Sequence, residues 1–216
     1  MNANYTRLAI AWLASIGAAC TSAPIRYYTL IPPPDMRLQP AESALAIDVR
    51  IAHIPPELNR SELMVRTGPA AITLLENERW ASPMKNGIKE AVRLELRRQL
   101  SRMAARPSSF TKLAIDIDVQ RLEAELGTYA LFEASWSATL SDTGRPTGSA
   151  QVMRCTFRAD EAIHSSYAAM VEGYQREIAA LADDIVAVVA SAAKGIDAPC
   201  QTFPASSAGE SGSKDR

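Results

Sequence analysis

The sequence predicts an α+β domain, a two-layer sandwich in which two long amphipathic helices cover one face of a single, mostly antiparallel sheet. The first observation is that two long segments carry apolar residues at three- and four-residue steps, the spacing of a helix with one buried stripe. The second is that several shorter segments alternate apolar and polar residues, the spacing of a strand with one buried face. Two such helices and one such sheet form the two layers of an α+β domain.

Length and composition are those of a globular protein with one core. The chain has 216 residues, of which 47% are hydrophobic and 22% are charged, and these values are ordinary for a folded domain. The formal net charge is -1, so no nucleic-acid partner is predicted. After residue 19, charged residues interrupt every long apolar run.

The first part of the domain is predicted to consist of short strands. Residues 27–30 are rich in strand-forming side chains, and the prolines that follow end the strand because proline cannot donate to a sheet ladder. Residues 45–52 alternate apolar and polar side chains, as a half-buried strand does. Residues 63–66 and 72–76 are two further strand candidates, separated by a turn at Gly68.

The first helix is predicted to begin after Ser82, with this serine as N-cap and Pro83 at the first helical position. Pro107 marks its end. A solvated outer face is favoured over contact with anionic lipid head groups, because glutamates interrupt the positive charge. The apolar stripe comprises Met84, Ile88, Val92, Leu96, Leu100 and Met103, and the outer face carries Lys85, Lys89, Glu90, Arg93, Glu95, Arg97 and Arg98.

Three longer strands follow, and together they indicate an antiparallel meander with one buried face. Residues 113–120, 130–140 and 152–158 each alternate apolar and polar side chains, and residues 142–145 form a hairpin turn. The opposite face of the sheet is expected to meet water or a partner. Its side chains are Asp48, Arg50, Asp116, Asp118, Glu133 and Ser135.

The second helix is predicted to begin at a cap formed by Ser165 or Ser166 and to end at Gly195. The domain is assigned to residues 27–200. Residues 205–216 are small and polar, and residues 201–216 are assigned to a disordered tail. The apolar stripe of the helix comprises Tyr167, Met170, Val171, Tyr174, Ile178, Leu181, Ile185, Val188 and Val189.

The N-terminal segment has the features of an export signal. Arg7 precedes the apolar residues 8–19, and small residues before a break describe a secretory signal peptide over residues 1–19. Cys20 follows directly, and the ending Gly17-Ala18-Ala19-Cys20 resembles a bacterial lipobox, which predicts a lipid on Cys20 and a tether over residues 20–26. Lipoboxes usually have leucine where Gly17 stands.

Two alternatives to the lipobox stay open. Residues 1–19 could be an ordinary signal peptide, with Cys20 left as a free or disulfide-bonded thiol. An uncleaved membrane helix is disfavoured because the apolar run is well short of the roughly 20 residues that a span requires.

The other two cysteines, Cys155 and Cys200, are a candidate disulfide. An exported protein folds in an oxidising compartment, where an even pair of cysteines favours a bridge. The alternative is a buried free thiol at Cys155 and an unpaired Cys200.

No catalytic, metal or cofactor site is predicted. His53 and His164 lie in different segments without metal-ligand spacing to other residues, which favours surface or capping roles. Asp116 and Asp118 share a strand face as a hydrolase carboxylate pair would, but no nucleophile or metal set accompanies them. Residues 55–60 form a proline-rich loop, interpreted as a strand connection and alternatively as a contact surface.

The order of four motifs is more informative than any single residue. The motifs are Tyr27-Tyr28-Thr29-Leu30, the proline-terminated segment over residues 47–60, Leu63-Met64-Val65-Arg66, and Arg79-Trp80-Ala81-Ser82-Pro83-Met84. In this order they resemble the ABC-type transport auxiliary lipoproteins, the family of the paraquat-inducible protein C. The resemblance extends over about residues 24–194.

The resemblance implies a function without catalysis or cofactors. Members are similar to one another in being outer-membrane lipoproteins that face the periplasm, here with palmitate on Cys20. They work with a periplasmic MCE-type protein and an inner-membrane component in moving lipids between membranes, as homo-oligomers that support envelope integrity. Thr21 after the cysteine favours the outer membrane. The alternative is an envelope-assembly or sensor lipoprotein on the same scaffold.

Overall fold

The computed structural model describes residues 23–33, 45–102, 112–141, 150–194, 196 and 200–204. Two helices and eight strands lie within these ranges. The helices are α1 (Met84–Arg102) and α2 (Tyr167–Ala193). The strands are β1 (Arg26–Tyr28), β2 (Ala46–His53), β3 (Glu62–Gly68), β4 (Ala71–Trp80), β5 (Lys112–Glu125), β6 (Tyr129–Ser141), β7 (Gln151–Ala162) and β8 (Gln201–Pro204).

The larger sheet has five strands in the order β2-β5-β6-β7-β8. Strands β5, β6 and β7 pair antiparallel in sequence order, which confirms the predicted meander. Strand β2 adds parallel to β5, with Val49 opposite Ile115. Residues 201–204, assigned from the sequence to the tail, pair with β7 as β8, and residues 205–216 lie outside the described residues.

The smaller sheet has three strands in the order β1-β4-β3. The prediction of one single sheet is therefore wrong, although the α+β sandwich itself is confirmed. Strands β3 and β4 form an antiparallel hairpin, and β1 runs parallel to β4, with Tyr28 opposite Trp80. The alternation of side chains identifies which face of a strand is buried, but it does not identify the neighbouring strand.

Both helices lie on one face of the five-stranded sheet, α1 against β2 and α2 against β6 and β7, and they contact each other. The two predicted stripes are confirmed: every stripe residue within the described ranges is buried except Tyr167, which is half-buried. Ser166 caps α2, since its Oγ accepts a hydrogen bond from the Ala169 amide at 3.1 Å. Met103, Pro107 and Gly195 lie outside the described residues.

One continuous core joins the two sheets and the helices. Phe132, Leu113 and Ile117 of the large sheet are fully buried opposite Ile88 and Ile178 of the helices, and burying an aliphatic or aromatic side chain of this size stabilises a fold by about 1.5–3 kcal/mol. The small sheet joins the same core through Leu63 and Val65 of β3. Trp80 at the end of β4 packs on Tyr174 of α2, with ring centroids 6.4 Å apart.

Candidate functional site

The predicted lipid-bearing residue, Cys20, lies outside the described residues, as does the predicted hairpin turn at residues 142–145. The described chain begins at residue 23, three residues before β1. Candidate sites are therefore found on the surfaces of the two sheets and in the core beneath α2.

The outer face of the five-stranded sheet carries a network of ion pairs. Arg50 of β2 pairs with Asp116 of β5 across the parallel register, with Nε and Oδ1 2.5 Å apart. On the neighbouring strands, Glu133 of β6 pairs with both Arg121 and Arg158. Opposite charges on adjacent strands satisfy one another, so this face is polar and ordered.

Glu123 is the central acceptor at the other end of this face. Its carboxylate accepts hydrogen bonds from Arg66 of β3 at 2.7 Å, from Arg121 at 2.6 Å and from the Tyr129 hydroxyl at 3.0 Å. Burial opposes ionisation of Glu123, but the hydrogen bonds from Arg66 and Tyr129 outweigh it and hold the pKa of this carboxyl below its usual value. The Arg66–Glu123 pair also links the small sheet to the large one.

Between these two charged regions the outer face forms a shallow depression of about 600 Å³. The strand register sets Asp116 opposite Ser137 and Asp118 opposite Ser135, so these polar side chains lie side by side in the depression. Its lining includes Asp116, Asp118, Ser135, Ser137, Arg154 and Thr156. Side chains of both charges and hydroxyl groups line the depression. Such a lining is suited to contact with a polar surface of another protein.

The two aspartates considered as a hydrolase pair, Asp116 and Asp118, both line this depression. Asp116 is engaged by Arg50. Within the described ranges, no group of three or more His, Cys, Asp or Glu side chains is placed to hold a metal ion. His53 and His164 are both exposed and lie far apart in the chain, at the end of β2 and before α2.

Cys155 and Cys200 border the same depression. The structure joins their sulfur atoms, with the Cα atoms 5.1 Å apart. This link ties β7 to the residue that precedes β8, and it closes a segment that contains all of α2. The fifth strand of the sheet is thereby held to the fourth by a covalent bond as well as by the ladder.

The basic face of α1 is partly neutralised by glutamates of the same helix. Arg93 pairs with Glu90 and Arg98 pairs with Glu95, each at 2.5 Å and three residues apart. These pairs favour the solvated face expected from the sequence. The proline-rich loop after β2 forms a turn, in which the Leu58 amide donates to the Pro55 carbonyl at 2.9 Å, and Leu58 packs on the core.

Glu177 is a buried acid that the sequence interpretation missed. It is fully buried on α2, and neither carboxyl oxygen has a hydrogen-bond partner within the described residues. Burial, followed by the charges of Glu161 and Asp160 on β7, raises the pKa of Glu177 to about 8. Its position in the sequence could have indicated this burial, because Glu177 lies three residues after Tyr174 and next to Ile178, within the apolar stripe.

No helix in the described part of the chain combines the length and the hydropathy that crossing a bilayer requires.

Comparisons with known proteins agree with the fold. The sequence model of a family described as "ABC-type transport auxiliary lipoprotein component" matches residues 28–186. A crystal structure of an uncharacterized protein is similar, with a TM-score of 0.57 and 16% identity, covering 77% of this chain and 99% of that one. A Xanthomonas campestris protein from a family of unknown function has a TM-score of 0.46 and 19% identity, over 74% of this chain and 92% of that one. No curated protein sequence matches significantly.

Proposed function

The chain belongs to the family of ABC-type transport auxiliary lipoprotein components, and on that premise we propose that it is a non-catalytic subunit of an MCE- and ABC-type intermembrane lipid transport system. It docks the periplasmic MCE assembly at the outer membrane and so supports envelope integrity. The observation that carries the proposal is the extent of the family match, which runs from β1 into the second half of α2. The match spans most of the folded unit and is not confined to one motif.

The proposed anchor is a lipid on Cys20, which holds the protein on the periplasmic face of the outer membrane. Cys20→Ala is expected to move the protein from the membrane fraction to the soluble periplasmic fraction, because no other segment after residue 19 is long and apolar enough to hold it. A density gradient that separates the two membranes tests the outer-membrane assignment. A Cys20→Ala protein that stays in the membrane fraction would show that the anchor is elsewhere.

The proposed docking surface is the outer face of the five-stranded sheet, because the helices cover the other face. Its ion pairs are ordered before a partner arrives, so little side-chain entropy is lost on binding. Charged groups arranged this way give specificity and fast encounter with a partner of complementary charge. Ser135 and Ser137 lie at the floor of the depression, where a bulky side chain would block close approach.

Copurification from the detergent-solubilised native envelope tests the partner and the surface together. The unaltered chain is expected to recover an MCE-type protein. Ser135→Arg with Ser137→Arg is expected to abolish that recovery, while Ala187→Arg, on the exposed face of α2, is expected to retain it. Recovery of the partner by the Ser135→Arg, Ser137→Arg protein would place the contact elsewhere. Recovery of envelope-assembly factors without an MCE protein would favour the alternative, an assembly or sensor lipoprotein.

A further inference from the structure

The small sheet exposes an unusual share of large apolar side chains. Four of the seven large hydrophobic residues that are exposed in the described part of the chain belong to it or directly precede it. They are Ile25 with 46% of its surface exposed, Tyr27 with 64%, Ile72 with 56% and Leu74 with 44%. Single exposed apolar residues are common on proteins, but a group of them on one sheet marks an interaction surface.

The strand registers place these side chains on one face. Met64 of β3 lies opposite Leu74, and Arg66 lies opposite Ile72, so the two apolar residues of β4 share the face of Met64. Glu62 precedes Met64 by two residues on the same strand and therefore lies on the same face. Glu62 is opposite Arg79, so Arg79 also lies on this face.

Arg79 in turn lies beside Tyr27 of β1. Tyr27 therefore shares the same outer face, and Ile25 precedes it by two residues. The opposite face of the small sheet is the one that buries Leu63, Val65 and Trp80. We name the surface formed by Ile25, Tyr27, Met64, Ile72 and Leu74 the apolar outer face.

Charged residues share this face with the apolar side chains. Arg66 lies opposite Ile72, Arg79 lies beside Tyr27, and Glu76 is exposed two residues after Leu74. Arg66 is bound to Glu123 of the large sheet, and Arg79 and Glu62 form a cross-strand pair of opposite charge at one end. The Arg66–Glu123 ion pair marks the boundary at which the apolar outer face meets the charged face of the large sheet.

The chain brings this face close to its own anchor point. Five residue steps separate Cys20 from Ile25, and an extended chain spans at most about 3.3–3.6 Å per residue, or about 18 Å in all. A lipid on Cys20 therefore keeps β1 within about 18 Å of the head groups, which is less than the width of a domain of this size. Most other surfaces of the domain cannot be reached by so short a tether.

We propose that the apolar outer face of the three-stranded sheet lies on the lipid surface that holds the Cys20 anchor, and that this contact fixes the orientation of the domain on the membrane. The inference rests on the proposed anchoring at Cys20. Tyrosine is favoured at the boundary between head groups and acyl chains, and isoleucine and leucine gain by leaving water there.

Single-cysteine labelling of the full lipidated chain tests this orientation. Ile72→Cys, Thr73→Cys and Leu74→Cys each introduce one thiol for an environment-sensitive fluorophore; Thr73 is exposed on the same strand but faces the other way. Ala187→Cys on α2 is a distant control. The labelled proteins are reconstituted into phosphatidylethanolamine–phosphatidylglycerol vesicles that contain lipids with a nitroxide on the acyl chain.

The expected result is an alternation along β4. Quenching by the nitroxide lipids should be several-fold stronger at positions 72 and 74 than at positions 73 and 187. Equal, weak quenching at all four positions in protein that floats with the vesicles would overturn the inference while leaving the anchor intact. Shielding of positions 72 and 74 from a water-soluble quencher without lipid quenching would assign the face to a second copy or another protein. Failure of the unaltered chain to float would overturn the anchor and the inference together.

Discussion

Gly173 of α2 lies so close to Ile163 that a Cβ atom on the glycine would come within 2.8 Å of the Ile163 Cγ2 atom. The same Cβ would lie 3.1 Å from the Cβ of Ala130 on β6. The absence of a side chain at residue 173 therefore sets how closely the second helix approaches the sheet. Close packing of this kind does not relax easily, because the neighbours are themselves buried.

Gly173→Ala is accordingly expected to destabilise the protein. Overpacking of a core contact is unfavourable by about 1–3 kcal/mol, which exceeds the gain of about 1 kcal/mol from replacing glycine inside a helix. Gly87→Ala in α1 is the matched control, since its nearest added contacts are ordinary ones at 3.5 Å, and it should stabilise by up to about 1 kcal/mol. Unfolding in urea measures the change in the free energy of unfolding for Gly173→Ala and for Gly87→Ala. A Gly173→Ala protein as stable as the parent would show that α2 can shift.

The Cys155–Cys200 link gives a second prediction, best tested in a Cys20→Ala background. Alkylation of the denatured, unreduced protein should find no free thiol. Reduction should lower the free energy of unfolding by up to about 4 kcal/mol, the loop-entropy value for a closed segment of this length; the two cysteines are 45 residues apart. Cys155→Ser with Cys200→Ser should already be destabilised and should not respond to reductant. Two free thiols in the unreduced protein would contradict the link.

Parts of this structure were predictable from sequence because they depend on local periodicity. Each helix stripe repeats one spacing over many residues, and Val92 and Ile185 are buried as their positions require. The separate three-stranded sheet depends instead on pairing between distant segments, such as Tyr28 with Trp80, which periodicity does not encode.

The candidate surfaces likewise combine features that local periodicity predicts with features that depend on contacts between distant segments. The polar outer positions, Asp116 among them, follow from alternation along one strand. The ion pairs between strands, the tight contact at Gly173 and the burial of Glu177 require the relative placement of several elements. A four-residue strand such as β8 is too short to carry a periodic signal.

Trp136 gives a third prediction, through its hydrogen bond to the second helix. The Trp136 indole N–H donates to the Asp184 Oδ2 atom at 3.1 Å. Burial raises the pKa of Asp184, and this hydrogen bond partly offsets the rise. Trp136→Phe should therefore raise the pKa of Asp184 further and destabilise the protein by about 1 kcal/mol or more, the worth of a lost hydrogen bond. The loss should be greater at pH 7 than at pH 4.

Trp80→Phe is the matched control for Trp136→Phe, because it also shortens a buried tryptophan but leaves the hydrogen bond to Asp184 in place. Unfolding in urea at the two pH values provides the measurement. If Trp136→Phe lost the same stability at pH 4 as at pH 7, the Trp136 side chain would act through packing alone.

Glu177 gives the last prediction, a fall in stability as pH rises. Its folded pKa of about 8 exceeds the ordinary glutamate value of 4.5, so the folded state retains a proton that the unfolded state releases. Between those values each pH unit should remove about 1.4 kcal/mol of stability through this group, and below them the effect should vanish. Glu177→Gln should flatten this dependence and be more stable than the parent at pH 7.5. Glu172 is exposed on the same helix, so Glu172→Gln should change neither the pH dependence of stability nor the stability at pH 7.5. Parallel pH profiles for Glu177→Gln and the parent would mean that Glu177 does not hold this proton in the folded protein.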